Sequence, residues 1–227
     1  MRILFVAADA MEYRGILAQA AAVRREALPV DFARSATLGS HAAMLVANGA
    51  GWKRAAAAVQ AGEQFAPEAI VSTGFCGALD EKLDIADVVA ATAVCANGRR
   101  HHAEAVAAPH SGVICSIDHV AQTAEEKAQL RQAGGSAVEM EAAAVAEFAS
   151  VRTIPFYCIR AVTDLAGETM ANDFNLALRS DGHFDTMLVL RGALRCPTIR
   201  VPELIRLRRR CVRAAEALGN FLVGCRF

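Results

Sequence analysis

The sequence predicts an α/β fold: a single domain with a mixed, mostly parallel central sheet flanked by helices. Three observations predict it. Short runs of β-type residues alternate with Ala-rich helical runs along the chain. The composition is 54% hydrophobic, enough for a sizeable core. The 227 residues contain no internal repeat or low-complexity linker, which suits one domain.

RILFVAA (2–8) is the first strand, and a helix is expected over 12–26. AAMLVANG (42–49) is a strand, and GAG then opens a helix with KRAAAAVQAGEQF. EAIVSTG (68–74) is a buried strand; DVVAATAV (87–94) and GVICSI (112–117) are further strands. His101 and His102, among Gly98, Arg99 and Arg100, suggest a polar loop. AVEMEAAAVAEFA (137–149) has a helical pattern, and PFYCIRAV (155–162) is an apolar strand. In the 137–149 helix Glu141 shares a stripe with Val145 and Phe148, while Glu139 points roughly the opposite way. A carboxylate on an apolar stripe is costly unless paired, so either a buried partner or a ligand must satisfy Glu141.

Charge and cysteine usage exclude several classes. Lys and Arg number 24 and Asp and Glu 24, so no global charge points to nucleic acid. The balance is local: residues 195–227 hold eight Arg against Glu203 and Glu216, a surplus of +6. No stretch is long and apolar enough to span a membrane, and the first residues lack a signal-peptide cleavage pattern. Seven scattered cysteines without a Cys-x-x-Cys pair argue for reduced thiols and a cytoplasmic location. Cys and His do not cluster at metal-ligand spacing, so no metal is expected.

Ligands of such sheets bind beyond the carboxyl ends of the strands. Four strand ends carry unusual residues: Asp9–Glu12, Asn48–Arg54, Ser72–Gly77 and Thr163–Asp164. NGAGWKR is either an anion-holding helix start or a tight turn. Gly74 and Gly77 admit either a close ligand or tight packing. Cys76 is a nucleophile or, more commonly for buried cysteine, a small hydrophobe. Asp164 is either a crevice acid able to donate a proton or a turn aspartate. Glu12 is equally readable as a first-turn acid favoured by the helix dipole.

Together these turns resemble the nucleoside phosphorylase and nucleosidase superfamily, and within it the methylthioadenosine/S-adenosylhomocysteine nucleosidases. The resemblance rests on AMEYRGIL (10–17), NGAGWKRAAAA, VSTGFCGALDEKLDIADVV (71–89), AVEMEAAAVA (137–146) and IPFYCIRAVTDLAG (154–167), in order over residues 1–167. It implies cleavage of a purine–ribose bond through an oxocarbenium-like state. By resemblance Asp164 protonates the leaving base and Glu12 orients or deprotonates the attacking water. Glu141 holds the ribose hydroxyls, Met140 packs on the ribose, and Glu139 supports them. Gly74, Phe75 and Cys76 line the central segment, and His119 and Val120 lie where the family presents backbone to the purine. The sequence departs from the family at Phe75, which replaces a Ser/Thr-type residue, and at Gly167, which replaces a second acid.

The resemblance further implies a purine nucleoside as small-molecule ligand, no metal or organic cofactor, and a homodimer or larger homo-oligomer. Acids at Asp9 and Glu12 disfavour phosphate as nucleophile and favour water. Lys53, Arg54 or Arg160 leave phosphate open, which would make the protein a phosphorylase. A catalytically idle nucleoside-binding protein is the contrasting class. The tail from residue 178 is similar to the hopanoid-biosynthesis-associated branch, whose implied substrate is an adenosyl hopane. Residues 198–227 are expected to form a basic amphipathic helix starting near Pro202, with Leu204, Leu207, Cys211, Ala214 or Ala215, Leu218 and Phe221 as its apolar stripe. That helix either closes the sheet or makes peripheral contact with the inner membrane.

Overall fold

The computed structural model describes residues 1–227. Strands β1 (Arg2–Ala7), β2 (Ala21–Arg25), β3 (Phe32–Leu38), β4 (His41–Ala47) and β5 (Ala69–Ala78) precede β6 (Val88–Ala96), β7 (Arg99–His102), β8 (His110–Ser116), β9 (Ala137–Glu139) and β10 (Phe156–Asp164). The helices are α1 (Arg14–Gln19), α2 (Trp52–Gly62), α3 (Ala124–Gln132), α4 (Ala142–Arg152), α5 (Phe174–Ala177), α6 (Thr186–Leu194) and α7 (Pro197–Gly224).

The strands run in the order β10-β6-β8-β9-β5-β1-β4-β3-β2, and β10 also pairs with β5. The first part of the path therefore closes on itself and leaves no free edge there. The sheet is mixed, with five parallel and five antiparallel pairings, so parallel pairs do not predominate. Alternation along the central strands feeds two cores. Leu4, Val6, Met44 and Val46 join one with α2 and α4. Ile3, Phe5, Ala7, Leu45 and Ala47 join the other with α1 and α7. Helices α1 and α7 cross at glycines: a Cβ on Gly219 would lie 2.2 Å from the Gly15 carbonyl carbon.

Several expectations need correction. The 12–26 helix is a 3-10 turn (Ala10–Tyr13), then α1, then β2. Ala20, Ala21 and Ala22 offer little side chain to anchor a longer helix, and Ala21, Arg24 and Arg25 pair with β3 instead. The 99–102 segment is not a loop but β7, which pairs with β6. The 137–149 helix is two elements. Residues 137–139 form β9 between β5 and β8, and α4 begins at Ala142. Glu141 is thus the residue before the first helical turn, with φ −122° and ψ −36°, and not a member of a helical stripe. Pro202 lies inside α7, whose first residue is Pro197. The buried residues of α7 are Glu203, Cys211, Ala214, Ala215, Leu218, Gly219 and Leu222, with Leu204, Leu207 and Phe221 only partly covered.

Candidate active site

Strands β1, β4, β5 and β10 are mutually parallel, so their carboxyl ends meet at one edge. A cavity of about 490 Å³ opens there. It is lined from all four of the strand ends singled out in the sequence, and by β9, α5, α6 and α7. Fifteen of its 23 lining residues are hydrophobic. Five acidic side chains also line it, namely Asp9, Glu12, Glu139, Glu141 and Asp164, and no Lys or Arg does.

One wall is a carboxylate cluster built round Arg160, whose side chain is wholly buried. Its guanidinium donates to Thr73 O and Ser72 Oγ, each at 2.8 Å, and to Glu139, and lies 3.9 Å from Glu141. Glu139 and Glu141 therefore converge on one cation and do not point apart. They are two residues apart, and the bend from strand to helix replaces the helical geometry that would have separated them. Glu139 Oε2 also accepts from the N–H groups of Glu141 and Ala142, capping α4. Glu141 Oε1 accepts from Gly51 N–H at 2.8 Å. The anion at the glycine-rich start of α2 is thus a side chain of the protein itself. Burial, then repulsion from Glu139, raises Glu141 to about 8 against the pull of Arg160.

Glu12 completes this wall. Its Oε2 accepts from Ala8 and Asp9 N–H at 2.8 and 2.9 Å, and its Oε1 from Phe75 N–H at 2.7 Å. Burial pushes its pKa up, while Arg160 and these N–H groups pull it down. Gly74 does not line the cavity. Its φ is +135°, and a Cβ there would stand 2.3 Å from Glu12 Oε1 and 2.8 Å from Arg160 Nη1. Glycine is needed so that both groups can approach the strand.

A second wall holds Asp164, the last residue of β10. Lys127 Nζ of α3 donates to Asp164 Oδ2 at 2.5 Å and to Leu165 O at 2.8 Å. Thr163 Oγ donates to Asp164 Oδ1 at 3.0 Å. Burial raises the Asp164 pKa, opposed by Lys127.

Phe75, Cys76, Met140, His119 and Val120 all line the cavity. Burial raises the Cys76 thiol well above its ordinary value, which disfavours the thiolate a nucleophile needs. His119 lies between Asp118 and Glu126 at 2.7 and 2.5 Å, and its hydrogen bonds to them raise its pKa. Val120 N–H and C=O are both engaged by the Asn175 amide, at 2.8 and 2.9 Å, so its backbone edge is already paired. Of the three cations considered for phosphate, Arg160 is committed to the carboxylates. Arg54 meets His183 at 3.3 Å and Asp31 at 3.9 Å, and Lys53 is exposed.

Lys127 and the central place of Arg160 were missed from the sequence. Lys127 sits in AEEKAQLRQ, which reads as solvated; the available signal was Leu130, three residues on and on the same face. No group of three His, Cys, Asp or Glu has the geometry to hold a metal ion, and all seven cysteines are free.

The chain combines a partly closed α/β sheet with an acid-walled cavity at its strand ends, and comparison with known proteins names the family. Residues 2–109 and 99–183 match the phosphorylase superfamily, to which the chain belongs. A similar relative is the 5'-methylthioadenosine/S-adenosylhomocysteine nucleosidase of Staphylococcus aureus (strain JH9), 29% identical over 139 residues. That match covers 45% of this chain and 59% of the relative. The fold is shared with the S-adenosylhomocysteine nucleosidase of Streptococcus pyogenes, solved with 5-methylthiotubericidin (TM-score 0.74, 21% identity, 98% of this chain and 94% of that one). It is shared also with the futalosine hydrolase of Helicobacter pylori (TM-score 0.73, 15% identity, 98% and 96%).

Proposed function

We propose that the protein hydrolyses the N-ribosidic bond of a 5'-substituted adenosine and releases adenine. The observation that carries this is that one cavity is lined both by a buried acid, Asp164, and by a carboxylate cluster of Glu12, Glu139 and Glu141. Bond cleavage needs a proton on the leaving base and negative charge near the cationic sugar, and an acid and a carboxylate cluster in one cavity suit those two needs. Asp164 protonates the base. Glu141 takes the ribose hydroxyls, Met140 packs on the sugar, Glu139 holds Glu141 in place through its N–H, and Glu12 orients the water. Adenine offers Val120 the same acceptor and donor pair that the Asn175 amide now offers, so base binding displaces Asn175.

Water is the nucleophile favoured here, because the charged lining is acidic and the nearby cations are paired or exposed. The activities of the relatives support the same chemistry.

The apolar far end of the cavity, at Phe174, Phe184, Val189 and Leu207, takes the 5' substituent. Outside it, eight of the thirteen large exposed hydrophobic residues fall between Leu176 and Ile205, among Arg191, Arg195 and Arg200. This face, and not the sheet-packed half of α7, is the part suited to peripheral contact with an anionic bilayer, as a lipid-bearing substrate such as adenosyl hopane requires. No helix is long and apolar enough to cross a membrane. A cytoplasmic homo-oligomer remains part of this reading, and light scattering measures the assembly.

The test is base release from methylthioadenosine, S-adenosylhomocysteine, inosine and an adenosyl lipid, each with and without phosphate. Phosphate-independent release from a 5'-substituted adenosine is expected. Strict phosphate dependence would move the protein to the phosphorylases, and release from none would leave a nucleoside-binding protein.

A further inference from the structure

Asp164 has to be protonated to act as an acid, yet its nearest neighbour is an ammonium group that favours its carboxylate. We propose that Lys127 is a positioning residue that holds the proton Asp164 delivers, passing it through the Asp164 carboxyl to the leaving base. This rests on the reading of Asp164 as the general acid.

The geometry supports a relay over a mere prop. Lys127 is the buried residue of α3, its side chain fully enclosed, and it spends its ammonium on Asp164 Oδ2 and Leu165 O. A buried ion pair is a poor stabiliser compared with apolar packing of the same volume. In a site poor in water the ionic pair and the neutral acid–amine pair approach each other in free energy, because burial penalises both charges. The start of α3 is tied to the loop after β10 by Ala124 N–H to Thr169 Oγ at 3.0 Å and Met170 N–H to Gln122 O at 2.8 Å, which keeps Nζ in register with Asp164.

Protons balance over the cycle. As the C–N bond breaks, its electron pair leaves with the base, which takes a proton from the Asp164 carboxyl. Asp164 has drawn that proton from the Lys127 ammonium, leaving a neutral amine. The attacking water loses a proton to Glu12, Glu12 releases it to solvent, and solvent returns one to Lys127. The other titratable groups facing the pair are Glu168 on the loop, Arg210 and Cys211 on α7, and Cys76 on β5. Glu168 and Arg210 neutralise each other through two bonds of 2.6 and 2.8 Å. Burial raises both thiols, Cys211 to about 12, so neither supplies the proton near neutrality.

The experiment compares Lys127→Met and Lys127→Arg on two substrates: the nucleoside turned over in the base-release assay, and a 4-nitrophenyl riboside with the same 5' group, whose leaving group needs no proton. Lys127→Met should lower kcat on the nucleoside by about 10²-fold, at the lower end of general-acid effects, with KM little changed. It should leave the nitrophenyl rate near wild type and move the pH optimum to lower pH, where solvent protonates Asp164 directly. Lys127→Arg should recover most of the nucleoside activity. Equal loss on both substrates, no loss on either, or a Lys127→Arg enzyme as poor as Lys127→Met overturns the proposal. Asp164→Asn separates the two readings: full activity there removes the acid assignment itself. An inactive Asp164→Asn beside a fully active Lys127→Met removes only the role of the lysine.

Discussion

The two walls of the cavity solve the burial of charge in opposite ways. On one, Arg160 serves Glu139 and Glu141 and lies near Glu12, so a single cation faces several acids, and Glu139 Oε1 is buried without a partner. On the other, Asp164 and Lys127 are matched one to one. A cluster short of cations gains most from a positive charge brought in by a ligand, since an oxocarbenium-like sugar favours full ionisation of its carboxylates. A matched pair attracts no further charge but holds a movable proton. In the proposed reaction the first wall serves the sugar and the second the base.

The comparison can be broken from either side. The largest effect is expected for Asp164→Asn, which keeps the shape and removes the proton: kcat should fall by about 10²–10⁴-fold in a folded enzyme, read by adenine release and circular dichroism. Arg160→Met leaves the acids without a counter-ion and should destabilise the fold by about 3–5 kcal/mol, measured by urea denaturation. Glu141→Gln keeps the hydrogen bond from Gly51 and removes the charge. A loss of about 10²–10³-fold in kcat/KM is expected, and an undiminished value would show that the cluster does not serve the sugar.

The smallest effect is a pH dependence of stability. Glu141 has an ordinary value of 4.5 and is raised to about 8 by burial. Between these values the folded state retains a proton that the unfolded chain has released, so the contribution present at low pH is lost as pH rises towards about 8. Glu12 and Asp164 are shifted in the same direction. Wild-type Tm should therefore fall more steeply than that of Glu141→Gln between about pH 5 and 8; parallel curves would contradict the assignment.

Much of this was legible in the chain. Strands β1, β4, β5 and β10 were evident because each is a mostly apolar run, and α2 because glycine precedes an alanine-rich run. Glu141 and Asp164 stood out as acids beside apolar runs, and Glu12 as an acid at a strand end. The misread regions are those whose conformation depends on a distant partner. Val138 is extended because Gly77 and Cys115 flank it in the sheet, although the alanines after it suggest helix. Lys127 looks solvated until β10 delivers Asp164, 37 positions later.

What the sequence by itself determined is the layered α/β class, the strand ends that carry chemistry and the family to which the chain belongs. The class and the strand ends follow from local hydrophobic period and turn residues, which act over a few positions; the family follows from the resemblance of the ordered motifs. The tertiary structure decided which charge meets which: Glu139 with Arg160 across 21 positions, Glu12 with Phe75 across 63, Gly51 with Glu141 across 90. Such pairings have no local signature, because a buried charge is tolerated only where folding brings a partner to it, and that partner is chosen by strand order and register.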